Sequence, residues 1–212
     1  ITRIQRQNMG PLEAEVIGFE RDTTLLAALD PIEGIRNGDR VELFRSARTI
    51  RASTELCGAV LDATGNPIDG SSSINSGRRV PVDSPPIHPL SRPPIRAPLP
   101  TGVRAIDTLL TLGRGQRVGI FSAAGVGKST LLGMLARGTQ ADYVVIGLVG
   151  ERGREVRDFL ENDLGPEGRK KSITVVATSD QPASKRILAA KTRSEEHTSE
   201  LQSPCNLVCR LL

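Results

Sequence analysis

The residues with chemical capacity gather between positions 117 and 155. The run RVGIFSAAGVGKSTLL, Arg117 to Leu132, passes from apolar residues (Val118, Gly119, Ile120, Phe121) through small ones to Gly125-Val126-Gly127-Lys128-Ser129-Thr130, then into a helix-compatible segment. Strand, glycine-rich turn and helix in that order are the setting of a phosphate-binding loop. Gly125 and Gly127 let the backbone curl so that successive N–H groups face one concavity at a helix N-terminus. On this pattern Ser122, Ala123, Ala124, Gly125, Val126, Gly127, Lys128, Ser129 and Thr130 bind phosphate. The Lys128 ammonium is expected on the β- and γ-phosphates and the Ser129 hydroxyl on Mg²⁺. Position 122 is serine where the strict pattern G-x-x-x-x-G-K-[ST] has glycine, so the assignment leans on the flanking strand and helix.

A second group lies in Gly150-Glu151-Arg152-Gly153-Arg154-Glu155, directly after DYVVIGLVG, Asp142 to Gly150. That nearly continuous apolar run predicts a strand buried on both faces. Ligand chemistry in open α/β sheets collects at the carboxyl ends of strands, so this segment and the loop should face one crevice. Glu151 is placed to orient or deprotonate a water attacking a γ-phosphate. Arg152 suits phosphate charge, and Glu155, one turn on, could reach a Mg²⁺-bound water. Charges at this spacing also make exposed, ion-paired helix starts, and position alone leaves both readings open.

The elements that must hold these residues follow from periodicity. From Gln116 to Ala190 strand and helix patterns alternate, which predicts a parallel, doubly wound α/β core. Thr101 to Leu112 places Val103, Ile106, Leu109 and Leu110 on one helical face with Thr101 as a cap. Glu151 to Asp163 places Val156, Phe159 and Leu160 together, Ser172 to Thr178 reads as another buried strand, and Pro182 stands where a helix opens. Upstream, Leu12 to Phe19, Thr23 to Leu29 (also tolerant of helix), Arg40 to Phe44 and Glu55 to Leu61 read as short strands of a small antiparallel barrel. Between these halves Pro81, Pro85, Pro86, Pro89, Pro93, Pro94, Pro98 and Pro100 enforce an extended connector. The expected organisation is a barrel domain at 1–77, a linker at 78–100, a nucleotide-binding domain at 101–192 and a tail at 193–212.

Composition narrows the function classes. The chain has 212 residues, a net charge of +4 and 2% aromatic residues with no Trp, a poor supply of stacking platforms for single-stranded nucleic acid. Nucleic acid is not expected as a partner. Three cysteines without a secretory leader suggest a reducing compartment. Cys57 reads as a small strand residue, and Cys205 and Cys209 lack the companions a zinc site needs. His88 stands alone in the linker and reads as a surface residue. No apolar run reaches the roughly 18 residues of a membrane span. The start at Ile1, not Met, suggests a piece of a longer chain.

Taken together, PLPTGVRAIDTLLTLGRGQRVGIFSAAGVGKSTLL, VGERGREVRDFLENDLGPEG and VVATSDQP resemble the rotary-type ATPases, and within them the flagellar protein-export and type III secretion branch. ALDPIEGIRNGDRV and GAVLDATGNPIDG extend the resemblance over about residues 10 to 192. The resemblance implies a RecA-like P-loop core, here an incomplete parallel sheet, behind a small β-barrel. It also implies ATP hydrolysis with Mg²⁺ by a homohexamer at the cytoplasmic face of a membrane export apparatus. Partners would be stalk and regulator proteins, exported substrates and their chaperones, with membrane contact only through partners. By the same resemblance Gly125 to Thr130 match the nucleotide loop, Glu151 the catalytic glutamate and Arg152 its neighbouring arginine. Ser122 is a variation tolerated in this branch. A catalytic subunit of an ion-translocating rotary ATP synthase shares much of this core. A hexameric RNA translocase shares it too, but Phe19 and Phe44 are few aromatics for an RNA-binding barrel.

The resemblance stops near Arg193. RSEEHTSELQS resembles the conceptual translation of a sequencing-adapter oligonucleotide, so residues 193–212 are expected to be non-native. The family's Mg²⁺-supporting aspartate and its trans-acting arginine lie beyond the matched region. The polypeptide as written is therefore expected to bind nucleotide weakly and to hydrolyse it negligibly.

Overall fold

Short strands with alternating apolar and charged residues build the N-terminal sheet. β1 (Thr2–Ile4), β2 (Leu12–Glu20), β3 (Thr23–Ala28) and β4 (Val41–Leu43) are antiparallel in the order β3-β2-β1-β4. The coordinates are a computed structural model that describes residues 1–71, 76–83, 88–91, 93–123, 125–195 and 207–211. Thr2 pairs with Ala14 and Leu43, and Ile4 with Leu12 and Val41, so these side chains share one face. On that face Ile4, Leu12 and Ala14 form a small core backed by Leu26 and Ala28.

The predicted barrel is an open sheet. Among the described residues β3 and β4 are its two edges, and Leu43 on β4 stays 76% exposed. The reason lies in where the next strands bury their apolar residues. β5 (Thr49–Ala52) and β7 (Arg78–Pro81) pair with each other. Their Ile50, Ala52 and Val80 join a core with Ile173, Val175, Leu188 and Ala189 of the C-terminal half, so they are drawn away from β4. β7 also shows that the proline-rich stretch begins as a paired strand. Pro85 and Pro86 lie outside the described residues.

The parallel sheet has the order β10-β8-β9-β6, with β6 (Val60–Leu61), β8 (Val144–Val149), β9 (Ser172–Ala177) and β10 (Leu207–Leu211). Val144, Val145, Ile146, Leu148, Ile173 and Val175 are buried, as their continuous apolar runs predict. Glu55 to Leu61 does not form the single strand expected of it. The Ser53 hydroxyl accepts the Glu55 N–H at 3.2 Å, which caps a 3-10 turn over Thr54–Leu56. Gly58 then takes φ 91°, and only β6 is left extended, parallel to β9. A strand from the first 77 residues therefore completes one edge of the α/β sheet. β10 lies parallel to β8, Leu207 opposite Val144 and Leu211 opposite Leu148; residues 196–206, including Cys205, lie outside the described residues.

Asp69 fastens β6. Its Oδ2 accepts the Val60 N–H at 3.1 Å and Arg169 Nη2 at 2.6 Å, and its Oδ1 accepts from Ser71. Burial pushes the Asp69 carboxyl up, but the bonds from Ser71, Val60 and Arg169 outweigh it and hold the group below its ordinary value. A depressed carboxyl supplies stability that is present above the unfolded pKa, 3.8, and is lost as pH falls through the folded one. Asp69→Asn should therefore destabilise the chain by about 1–2 kcal/mol at pH 7, and by progressively less below the unfolded value. Denaturant titrations at pH 7 and near pH 3 check this.

Helices cover the sheet. α1 (Arg104–Leu109) is shorter than the predicted Thr101–Leu112 and buries none of its residues. Thr101 is not its cap. Its N–H and hydroxyl both donate to Asp107 Oδ1, at 2.8 and 2.7 Å, and the Gly102 N–H donates to Oδ2, so Asp107 folds back on the entering chain. α2 (Lys128–Gly138) sends Leu132 and Ala136 into a core with Val60, Ile146, Val156, Phe159 and Leu164. α3 (Gly153–Asp158) continues through a π turn (Phe159–Leu164) into α4 (Gly165–Lys170). This helix starts two residues later than predicted and runs past Asp163. α5 (Ala183–Glu195) follows Pro182.

Candidate phosphate site

The loop at Gly125 to Lys128 caps α2. Gly127 is its N-cap with φ 92° and ψ 21°, and Gly125 has φ 76°, both left-handed conformations that a side chain would strain. A Cβ built on either glycine meets nothing within 4 Å. The Leu131 N–H donates to Gly127 O at 2.9 Å, the first bond of the helix. Ser122, Ala123, Gly125, Val126, Gly127 and Thr130 are exposed, while Lys128 and Ser129 are half-buried. Ala124 lies outside the described residues.

The strand expected ahead of the loop is absent. Residues 117–123 belong to no sheet, and Phe121 is 87% exposed. Periodicity and β propensity give a run the capacity to be a strand, but the state needs a neighbour to take its N–H and C=O groups. β8 has β9 on one side and β10, a strand of the 193–212 tail, on the other, so neither of its edges is open to this run while the tail occupies one. The segment is held at its base instead, where Leu99 N–H donates to Leu112 O at 2.7 Å and Arg114 N–H to Ala97 O at 2.9 Å.

Glu151 sits where β8 ends, as predicted. Gly150 turns with φ 83° and donates its N–H to Ala177 O at 2.7 Å, and the Ser179 N–H donates to Glu151 O at 2.9 Å. The ends of β8 and β9 are thereby tied together. Burial pushes the Glu151 carboxyl above its ordinary value, a hydrogen bond to Glu155 and the charge of Glu155 push it further, and the Lys128 ammonium opposes them. Arg152 Nη1 lies 3.6 Å from Glu155 Oε1 in an exposed pair, the ion-paired helix start that charges at this spacing also allow.

The structure thus gathers Lys128, Glu151, Arg152 and Glu155. Ser179 and Asp180 are additions that periodicity does not single out. Their signal is position, since they follow β9 just as Glu151 follows β8. A hydrogen bond from the Thr178 hydroxyl, then one from its own N–H, hold the Asp180 carboxyl below its ordinary value.

Two left-handed glycines with open space where their Cβ atoms would stand, followed by a lysine at the start of an 11-residue helix, fit a phosphate group. Among the described residues no cluster of three or more His, Cys, Asp or Glu is positioned to hold a metal. A Mg²⁺ ion at this site would therefore rely on phosphate oxygens and water besides the Ser129 hydroxyl, the arrangement usual for this cation. His88 is exposed and accepts the Leu90 N–H on Nδ1.

Residues 102–195 match the nucleotide-binding domain of the ATP synthase alpha/beta family. The chain is 51% identical over 181 residues to the flagellum-specific ATP synthase of Bacillus subtilis, covering 85% of this chain and 41% of that protein. It is 49% identical over 187 residues to the type 3 secretion system ATPase of Xanthomonas euvesicatoria, covering 87% and 42%. Among solved structures, the assembled ATPase EscN of the enteropathogenic E. coli type III secretion system superposes with a TM-score of 0.83 at 35% identity, over 99% of this chain and 51% of EscN. EscN in complex with its central stalk EscO gives 0.86 at 36% identity, with the same coverage. The chain thus spans about two fifths of these curated relatives and half of EscN.

Proposed function

Since this chain belongs to the ATP synthase alpha/beta family, in its flagellar and type III secretion ATPase branch, we propose that its protein hydrolyses ATP to energise protein export. The observation that carries the chemistry is the pair of left-handed glycines, open where their Cβ atoms would stand, that leads into Lys128 at the first turn of α2, with Glu151 just past the end of β8 and under the influence of the lysine's charge. The parallel sheet is read as part of a RecA-like core, and the open N-terminal sheet as part of a barrel.

In this reading Gly125 to Thr130 cradle the phosphates and Lys128 neutralises them. Glu151 orients and deprotonates the attacking water, and Arg152 balances charge developing on the phosphoryl oxygens. Ser129 and, through water, Glu155 would hold Mg²⁺, which when bound draws charge from the β- and γ-oxygens. A raised Glu151 carboxyl suits a base that must first take up a proton and then release it. A homohexamer with a central stalk, working with exported substrates and chaperones at the inner face of a membrane, is proposed by analogy with the assembled EscN and its EscO complex. No helix among the described residues is long and apolar enough to cross a membrane, and attachment would be through partners. The similarity to flagellar and secretion ATPases favours export over ion translocation as the coupled process.

Residues 193–212 are proposed to be foreign to the protein. A genomic reading frame that encodes them would refute this.

Nucleotide titration of the full-length protein tests the site. Lys128→Ala is expected to weaken ATP binding by at least about tenfold, as loss of a charge-assisted contact implies. Equal affinity in the variant would remove the loop from its assigned role.

A further inference from the structure

α5 touches the N-terminal half at both of its ends. In its first turn the Ser184 hydroxyl donates to Ala28 O, at the end of β3, and Lys185 Nζ meets Asp30 Oδ1 at 2.8 Å. The Lys185 side chain is only 16% exposed although Asp30 is 53% exposed, so the lysine end of this pair is better shielded than either end of the pairs along α3 and α4. Toward its other end the buried Thr192 hydroxyl donates to Ala63 O at 2.7 Å. Between them Leu188 and Ala189 pack into one core with Leu29, Ala63 and Val82.

The same helix is joined to the candidate site by a short, hydrogen-bonded turn. Gln181 N–H donates to Thr178 O at 3.1 Å, and Lys185 N–H to Pro182 O at 3.0 Å. Within this turn the Ser179 N–H holds Glu151 O at 2.9 Å. Two residues, 181 and 182, separate the anchored first turn of α5, which begins at Ala183, from the Asp180–Ser179 corner. A turn that short transmits the placement of the helix end to the Glu151 backbone, because few free dihedrals lie between them.

We infer that Asp30, Lys185 and Ser184 are positioning residues for Glu151, holding the first turn of α5 on the end of β3 and, through it, the 178–182 turn that fixes the Glu151 main chain. The N-terminal sheet is then a fixed reference for the chemical site as well as a separate module. The inference rests on the proposed function only for what Glu151 does; the main-chain link exists whether or not ATP is hydrolysed.

Amide hydrogen exchange on the full-length protein tests the link directly. In an Asp30→Ala/Ser184→Ala variant the Ser179 and Gly150 amides are expected to exchange about five- to tenfold faster, while Ile146, Gly147 and Leu148 in β8 keep their rates. The charge-swapped pair Asp30→Lys/Lys185→Asp is expected to slow Ser179 back toward the wild-type rate. Unchanged exchange at Ser179 would overturn the inference, and so would equal acceleration throughout β8 or a swap that restores nothing. Failure of the proposed ATPase reading would instead appear in nucleotide titration with these exchange rates intact.

Discussion

Glu151→Gln in the full-length protein is expected to leave ATP affinity within about threefold of wild type and to lower turnover by roughly 10²- to 10⁴-fold, the range for loss of a general base. The amide is nearly isosteric and keeps the hydrogen-bonding shape of the carboxyl, so binding survives; it cannot accept the proton, so the chemical step fails. Glu151 is proposed for this role because its main chain is pinned by Ser179 and its neighbour Gly150 by Ala177, while its side chain lies in the field of Lys128. Single-turnover hydrolysis alongside nucleotide titration separates the two effects. Unchanged turnover would take Glu151 out of the mechanism.

The same substitution makes a stability prediction of opposite sense. A carboxyl whose folded pKa is raised favours the fold below its unfolded value, 4.5, and that contribution is lost as pH rises through the folded value. Glu151→Gln should therefore unfold at a slightly higher temperature than wild type at pH 7, and the difference should vanish near pH 4. Thermal melts at the two pH values report it.

The second large effect is structural. Gly133→Ala is expected to destabilise the chain by about 1–3 kcal/mol, equivalent to a Tm lower by several degrees for a chain of this size. Gly133 lies in the middle of α2, where alanine would ordinarily be the better helix former. A Cβ there would stand 2.4 Å from Asp163 O and 2.8 Å from Asp163 C, and backbone atoms cannot swing aside as a flexible side chain can. The π turn over Phe159–Leu164 must shift, and with it Leu164, which is fully buried against α2. A variant as stable as wild type would mean that α2 and the π turn separate at little cost.

How much of this was legible before folding depends on whether the signal was local. Val144 to Val149 and Ser172 to Ala177 carry no charged residue and are buried on both faces, the hydroxyl-bearing Ser172 and Thr174 included, and each forms a strand within the span expected, as burial on both faces requires. Gly125 and Gly127 adopt the left-handed conformations that their type permits, and Lys128 begins the helix. The glycine turn and the helix start are therefore local signals, and the strand before them is not.

Partnership is another matter. Val118 to Phe121 is as apolar as β8, yet it forms no strand, because strandedness belongs to a pair of segments and its neighbours along the chain do not include one. Ile50 and Ala52 lie in the half expected to be a barrel and Val80 in the expected linker, but tertiary packing assigns them to Ile173 and Leu188 instead of to Ile4 and Leu12. Val60 and Leu61, two residues in a stretch rich in turn signals, become an edge of the parallel sheet because Asp69 and Arg169 hold them there. The sequence by itself determined which glycines can turn left-handed ahead of α2 and which runs are apolar enough to be strands, since both follow from side-chain type at fixed spacing. Only the tertiary structure decided which edges meet, that Ser179 would secure Glu151, and that α5 would tie the site to the N-terminal sheet, since each of those joins residues that no local pattern links.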